Sequence, residues 1–168
     1  MKKILSLLII CLIVSCSQNR YHVNEITKPT DGLYYLKNDM SLVNGIIYNK
    51  FGDVGLFKNG IKNGVHKIWY ENGQLKYQGN YINGKPDGVY KSWYKNGQLK
   101  MEVDYRNGKK DGLVKTWYKN GQLETETEYK NDKKDGLEYI WFENGKLKWV
   151  WDIKNGEKKL TRPRKKIQ

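Results

Sequence analysis

The sequence predicts an all-β protein, an elongated and twisted single-sheet antiparallel meander of 24-residue β-hairpin repeats, and three observations carry that expectation. The string Trp-Tyr-Glu-Asn-Gly-Gln-Leu-Lys from Trp69 to Lys76 returns with few changes at Trp93, Trp117 and Trp141, always 24 positions on. Each unit holds two turn signals, an Asn-Gly after the Trp-aromatic pair and a second Asn-Gly or Asn-Asp near Asp-Gly, so one unit amounts to a hairpin and its connector. Composition agrees, because only 38% of the 168 residues are hydrophobic and the mean hydropathy is −0.83, too little for a deep two-layer core. The 13 Tyr and 6 Trp argue equally against disorder, which leaves a thin, aromatic-surfaced β-structure.

The N-terminal elements have a different character. Lys2 and Lys3 precede a run from Ile4 to Val14 that is apolar except at Ser6, a pattern of a secretory signal too short to span a bilayer comfortably. Ile13-Val14-Ser15-Cys16 resembles the bacterial lipobox, which makes residues 1–15 a lipoprotein signal peptide and Cys16 the expected lipidation site; the alternatives are an ordinary signal peptide with an incidental cysteine and an uncleaved short anchor. The only other cysteine is Cys11, so the exported body carries no free thiol and no disulfide. Residues 16–30 lack the period, contain Pro29 and read as a flexible tether with a reach of about 50 Å. Ser17 is not the Asp that retains lipoproteins in the inner membrane of enteric bacteria, so outer-membrane placement is open if the source is Gram-negative.

Residues 31–56 contain looser echoes, such as Asp31-Gly32-Leu33-Tyr34 and Asn44-Gly45, and read as degenerate repeats capping the N-terminal end. The repeats proper run over 57–156, and 157–168 form a basic tail ending in Arg162-Pro163-Arg164-Lys165-Lys166. If Asn96-Gly97 is a two-residue hairpin turn, Tyr94 faces Leu99, Ser92 faces Met101, Tyr90 faces Val103 and Gly88 faces Tyr105, all on one aliphatic-aromatic face. The opposite face then receives Trp93 with Lys100, Lys91 with Glu102 and Val89 with Asp104. On it, Trp69, Trp93, Trp117 and Trp141 stand on every second strand, about 10 Å apart. Lys76, Lys100, Glu124 and Lys148 lie between them, the lysines placed to cover the indoles with their stems. This column either stabilises a one-layer sheet or offers a ligand-binding stripe.

A search for chemistry yields exclusions. His22 lies in the tether and His66 in a strand position held by Tyr90 one unit later; neither has a second ligand near enough for a metal site. Ser92, the only serine of the repeat region, gives way to Thr116 and Ile140 in later units and is a strand residue. Asp87, Asp111 and Asp135 recur beside Gly at connector turns, where Asp bonds local backbone donors. The Asn-Gly-Lys turns lack the strand-loop-helix setting of a phosphate loop. The chain is read as non-enzymatic, with no cofactor and no metal.

Trp-Tyr-Lys-Asn-Gly-Gln-Leu at 93 and at 117, together with Gly-Lys-Pro-Asp-Gly at 84, resembles the bacterial MORN-repeat variant family, and the likeness covers roughly residues 57–156. It is similar there to YwqK-type proteins, some of which are regarded as antitoxins. The resemblance implies an elongated twisted antiparallel sheet with a binding or scaffolding role, and it brings no catalytic residues. Asn131-Asp132 departs from the family's Asn-Gly, and Lys148-Trp149-Val150-Trp151 replaces the usual polar strand with an apparent terminal cap. The net charge of +13 concentrates at Lys85, Lys109-Lys110, Lys133-Lys134, Lys158-Lys159 and the tail. Such a strip attracts anionic polymers or headgroups, or simply blocks sheet-to-sheet aggregation. Export makes a specific nucleic-acid partner unexpected. The expected role is therefore that of a lipid-anchored envelope protein whose candidate binding surface, Trp69, Trp93, Trp117 and Trp141 with Lys76, Lys100 and Lys148, meets an unknown protein or an anionic envelope polymer. An antitoxin-like mask for a toxic partner and a cell-surface glycan binder are the alternatives.

Overall fold

A computed structural model of the chain describes residues 18–161. The signal segment, Cys16 and the end of the basic tail lie outside the described residues. An N-terminal part comprises β1 (Arg20–His22), a 3-10 turn (Val23–Glu25), β2 (Ile26–Thr27), β3 (Tyr35–Leu36), β4 (Gly45–Asn49) and β5 (Gly52–Lys58). The repeat strands follow as β6 (Ile61–Trp69), β7 (Leu75–Ile82), β8 (Lys85–Pro86), β9 (Gly88–Trp93), β10 (Leu99–Arg106), β11 (Lys109–Trp117) and β12 (Leu123–Lys130). The last three are β13 (Lys133–Trp141), β14 (Leu147–Lys154) and β15 (Glu157–Thr161). From β4 to β15 neighbours in sequence are neighbours in one unclosed antiparallel sheet, with β8 pairing β7 alone, β1 adding in parallel outside β4, and β2–β3 forming a separate ribbon. The all-β single-sheet meander predicted from the period is thus the observed architecture.

The two Asn-Gly sites of each unit make different turns. At Asn83-Gly84 and Asn107-Gly108 both residues have positive φ, 49° and 78° in the first, 52° and 84° in the second, the two-residue turn that this dipeptide favours. Asn131-Asp132 keeps that geometry at 49° and 68°; Asp132 clasps Lys110, accepting its N–H on Oδ1 at 2.8 Å and donating to its carbonyl at 2.9 Å. At Asn96-Gly97, by contrast, only Gly97 has positive φ, and the loop has three residues. Gly97 donates to the Tyr94 carbonyl at 3.0 Å, Tyr94 donates to the Gln98 carbonyl at 2.8 Å, and Asn96 Oδ1 accepts the Gln98 N–H at 3.1 Å.

That longer loop corrects the expected register beside it. Trp93 lies opposite Leu99, and Lys100 is the extra residue of a bulge, so neither Tyr94 with Leu99 nor Trp93 with Lys100 is a cross-strand pair. Beyond the bulge the expected pairs hold: Ser92 with Met101, Lys91 with Glu102, Tyr90 with Val103, Val89 with Asp104 and Gly88 with Tyr105. Asp-Gly is likewise a bulge rather than a turn. Between the pairs Val103–Val114 and Tyr105–Lys110, Asp104 alone opposes Asp111, Gly112 and Leu113, and its Oδ2 accepts the Leu113 N–H at 3.1 Å. Gly112 has φ of 128°, and a Cβ there would stand 2.8 Å from the Asp104 Cβ, so the bulge requires glycine.

With one layer, burial comes from neighbours on the same face. A row across the strands holds His66, Gly79, Tyr90, Val103, Val114, Thr127 and Glu138, of which all but the half-buried Tyr90 are buried. Tyr90 lies over Gly79, where a Cβ would meet its ring at 2.4 Å, and is flanked by Tyr77 and Tyr105 at ring separations of 6.0 and 6.1 Å. Burial among Tyr81, Tyr77 and Tyr105 pushes the Tyr90 phenol up to about 12. Glu138 is buried in the same row and bonds Lys134 and Lys158, the latter at 3.0 Å. Desolvation raises its pKa, but these two ammonium groups outweigh it and hold the carboxyl below its ordinary value.

Among the described residues, a conventional core exists only at the N-terminal end, where Val43, Ile47 and Phe57 are buried against Tyr21, Ile26, Tyr34, Leu36 and Val54. The described part of the stretch read as a tether is therefore folded: β1 and β2 pack onto the sheet, and Glu25 and His22 cap the 3-10 turn between them. Residues 45–58 continue the meander through a turn at Lys50-Phe51 rather than Asn-Gly, and the tail read from 157 begins with strand β15. His66 closes this core, edge-on to Phe57 at 4.8 Å and to Tyr81 at 5.3 Å, above Gly55. Its Nε2–H donates to the Leu56 carbonyl at 2.8 Å, leaving buried Nδ1 without a partner. Burial depresses its pKa to about 4 from 6.5.

Because the unfolded chain protonates His66 as pH falls through 6.5 and the folded chain does not until about pH 4, stability is lost as pH falls through that window. Thermal or urea unfolding should show a loss of about 2 kcal/mol between about pH 7.5 and about pH 5, above the range in which Glu138 begins to titrate. His66→Leu should flatten that dependence; an equal slope in both proteins contradicts the assignment.

Candidate functional site

The Trp column is built at the three-residue loops. Trp69, Trp93, Trp117 and Trp141 end β6, β9, β11 and β13 and are all half-buried. Trp69 tilts against Phe51 at 6.4 Å, and Trp141 stacks on Tyr139 at 5.8 Å with planes 20° apart. The lysines cover a neighbouring ring instead of the indole. Lys76 lies over Tyr70 and Tyr77 at 5.5 and 5.4 Å, Lys100 over Tyr94 at 5.6 Å, and Lys148 over Phe142 at 5.0 Å. The bulge that moves Lys100 out of register with Trp93 accounts for the change of partner.

What the Trp residues contribute to the next unit is backbone. Tyr70, Tyr94 and Tyr118 each donate their hydroxyl, at 2.8 Å, to the carbonyl of Trp93, Trp117 and Trp141 respectively. Alongside, the amides of Asn72, Asn96 and Asn120 donate to the carbonyls of Lys95, Lys119 and Glu143 at 3.2, 3.1 and 2.9 Å. Two bonds therefore join each loop to the next, although the loops are two strands apart. These hydroxyls and carboxamides were not among the residues singled out from the sequence. A signal was present: the hydroxyls recur at one position of the period, at Tyr70, Tyr94 and Tyr118, and that position becomes Phe142 in the fourth unit.

The arrangement leaves an open cavity of about 420 Å3 at the first loop, lined by Trp69, Tyr70, Glu71, Asn72, Lys76 and Lys95. It brings together two of the expected surface residues, Trp69 and Lys76, in a setting suited to planar or polar groups. Farther along the same face, Lys91 pairs with Glu102 and Lys115 with Glu126, each at 2.8 Å, so the central charges neutralise one another. The other polar candidates are structural in place: Ser92 and His66 are buried in the sheet, and Asp87 accepts the Asn107 N–H at 2.9 Å. Among the described residues, no group of three His, Cys, Asp or Glu side chains is placed to hold a metal ion.

Removing one ladder hydroxyl deletes a hydrogen bond worth about 1 kcal/mol. Tyr70→Phe, Tyr94→Phe and Tyr118→Phe combined should lower unfolding stability by about 3 kcal/mol, while Phe142→Tyr changes it by less than about 0.5 kcal/mol. A triple variant as stable as the parent in urea titration contradicts the ladder.

No curated relative matches the chain. The family model of the MORN repeat variant matches it four times, at residues 62–83, 86–107, 110–131 and 134–148, each match taking one hairpin around a three-residue loop. Residues 62–148 thus resemble a tandem array of four MORN repeat variants.

Proposed function

We propose that the protein is a non-enzymatic, lipid-anchored component of the cell envelope whose repeat sheet is a binding or scaffold surface for a protein or an anionic polymer. MORN repeats are a binding and scaffold family without catalytic residues, which supports the coarse reading. The observation that carries it further is the open sheet itself. Strands β10–β14 pack chiefly against the strands beside them, leaving two faces and two turn edges that repeat every 24 residues. The anchor rests on Ile13-Val14-Ser15-Cys16. Because β1 already begins at Arg20, Cys16 holds the folded N-terminal end close to the bilayer, with only a few residues between.

Glycan binding is the second reading, favoured by the cavity beside Trp69 and Lys76. Masking of a toxic partner would use the same surface, but the export signal separates the protein from cytosolic toxins. Cys16→Ala should release the protein from the membrane fraction of its own cells. Unchanged processing and fractionation sinks the anchor. Crosslinked pull-down of the anchored form, with Trp93→Ala/Trp117→Ala as a folded comparison, should recover a partner that the variant loses. A glycan partner would in addition quench Trp fluorescence.

A further inference from the structure

The bonds that tie successive two-residue turns together stop short of the last one. Gly84, Gly108 and Asp132 donate their N–H to the carbonyls of Lys62, Pro86 and Lys110 at 2.8–2.9 Å, whereas no corresponding bond joins Gly156 to Lys134. Ile61 crowds the Cβ position of Gly84, and Lys85 that of Gly108; nothing lies within 4 Å of that position at Gly156. The Asn155-Gly156 turn stands away from Asn131-Asp132, and a groove of about 900 Å3 opens at this end of the sheet. Lys130, Lys133, Lys134 and Lys158 line it with Asn131 and Asn155; Asp135 is the carboxylate among the lining residues. Lys134 and Lys158 are engaged with buried Glu138, while Lys130 and Lys133 are exposed and in no ion pair among the described residues.

We propose that this groove binds phosphate groups of an anionic polymer. Ammonium groups bind phosphate as compact point charges, and the Gly156 N–H, without a partner among the described residues, and the two carboxamides add neutral donors for its remaining oxygens. A polymer fits better than a lone ion, because exposed lysines hold a single charge weakly. The same turn edge also continues to Arg106, Lys109 and Lys110, about 10 Å away across two strands. The site deepens the envelope-binding reading and rests on it for the choice of polymer over bilayer. From β1 to β15 the sheet advances eleven strands, about 50 Å, so the groove lies at the end opposite the anchor.

The test uses the full chain in detergent, with labelled polyphosphate as probe, inorganic phosphate as competitor, and vesicles of phosphatidylcholine with phosphatidylglycerol as a separate arm. Lys130→Gln/Lys133→Gln leaves the Glu138 pairs intact and should weaken polyphosphate binding by at least about tenfold. Lys95→Gln/Lys119→Gln removes the same charge from the opposite turn edge and should weaken it less than about twofold. Circular dichroism confirms that both variants are folded. Equal losses in the two variants, no polyphosphate binding, competition by inorganic phosphate at matched phosphate concentration, or binding to anionic vesicles alone each overturns the site. None of these readings depends on Cys16, so a failed anchor and a failed groove are separately visible.

Discussion

A sheet one layer thick has no second layer to fix the distance between its hairpins, and in this protein that distance is fixed by bonds from turn to turn. On one edge, the hydroxyls of Tyr70, Tyr94 and Tyr118 and the carboxamides of Asn72, Asn96 and Asn120 reach the backbone of the next loop; on the other, Gly84, Gly108 and Asp132 donate back to the preceding unit. Strand pairing alone would let such a ribbon slip or splay, since a meander with half-polar faces specifies its register weakly. The ladder makes every unit depend on its neighbours at a fixed offset, which is why the sequence repeats as strictly as it does at the loops.

The faces between those edges have correspondingly relaxed requirements. The position held by His66 becomes Tyr90, Val114 and Glu138 in successive units, and each substitution is accommodated locally. Gly79 makes room for the Tyr90 ring, and Lys134 with Lys158 neutralises Glu138. The N-terminal end is closed by a small true core under β1–β3, and the last described strand at the other end is the short β15. The two-residue turn at Asn155-Gly156 makes no such bond back to Lys134 and leaves the basic groove.

Period, strand order and most of the cross-strand pairs were legible in the sequence, because a two-residue side-chain alternation between strict repeats admits few registers. Two identical dipeptides forming different turns were not. Asn96 stays out of the left-handed region because its side chain serves both the Gln98 N–H and the Lys119 carbonyl, a use visible only once the loops are stacked. The expected Lys100–Trp93 contact failed for the same reason, since the longer loop inserts Lys100 as a bulge. Residues 20–30 carried no period and so no signal, yet Tyr21 and Ile26 pack against the conventional core of the described residues. Of the candidate surface, the placement of the Trp residues along one edge was readable, while the part that their carbonyls play was not.

Amide hydrogen exchange resolved at single turns tests the ladder most directly. The N–H groups of Gly84, Gly108 and Asp132 should exchange at rates close to those of the adjoining strand amides, and that of Gly156 at the rate of an open loop. Exchange of all four at the same fast rate would contradict the claim that turn-to-turn bonds hold this sheet together.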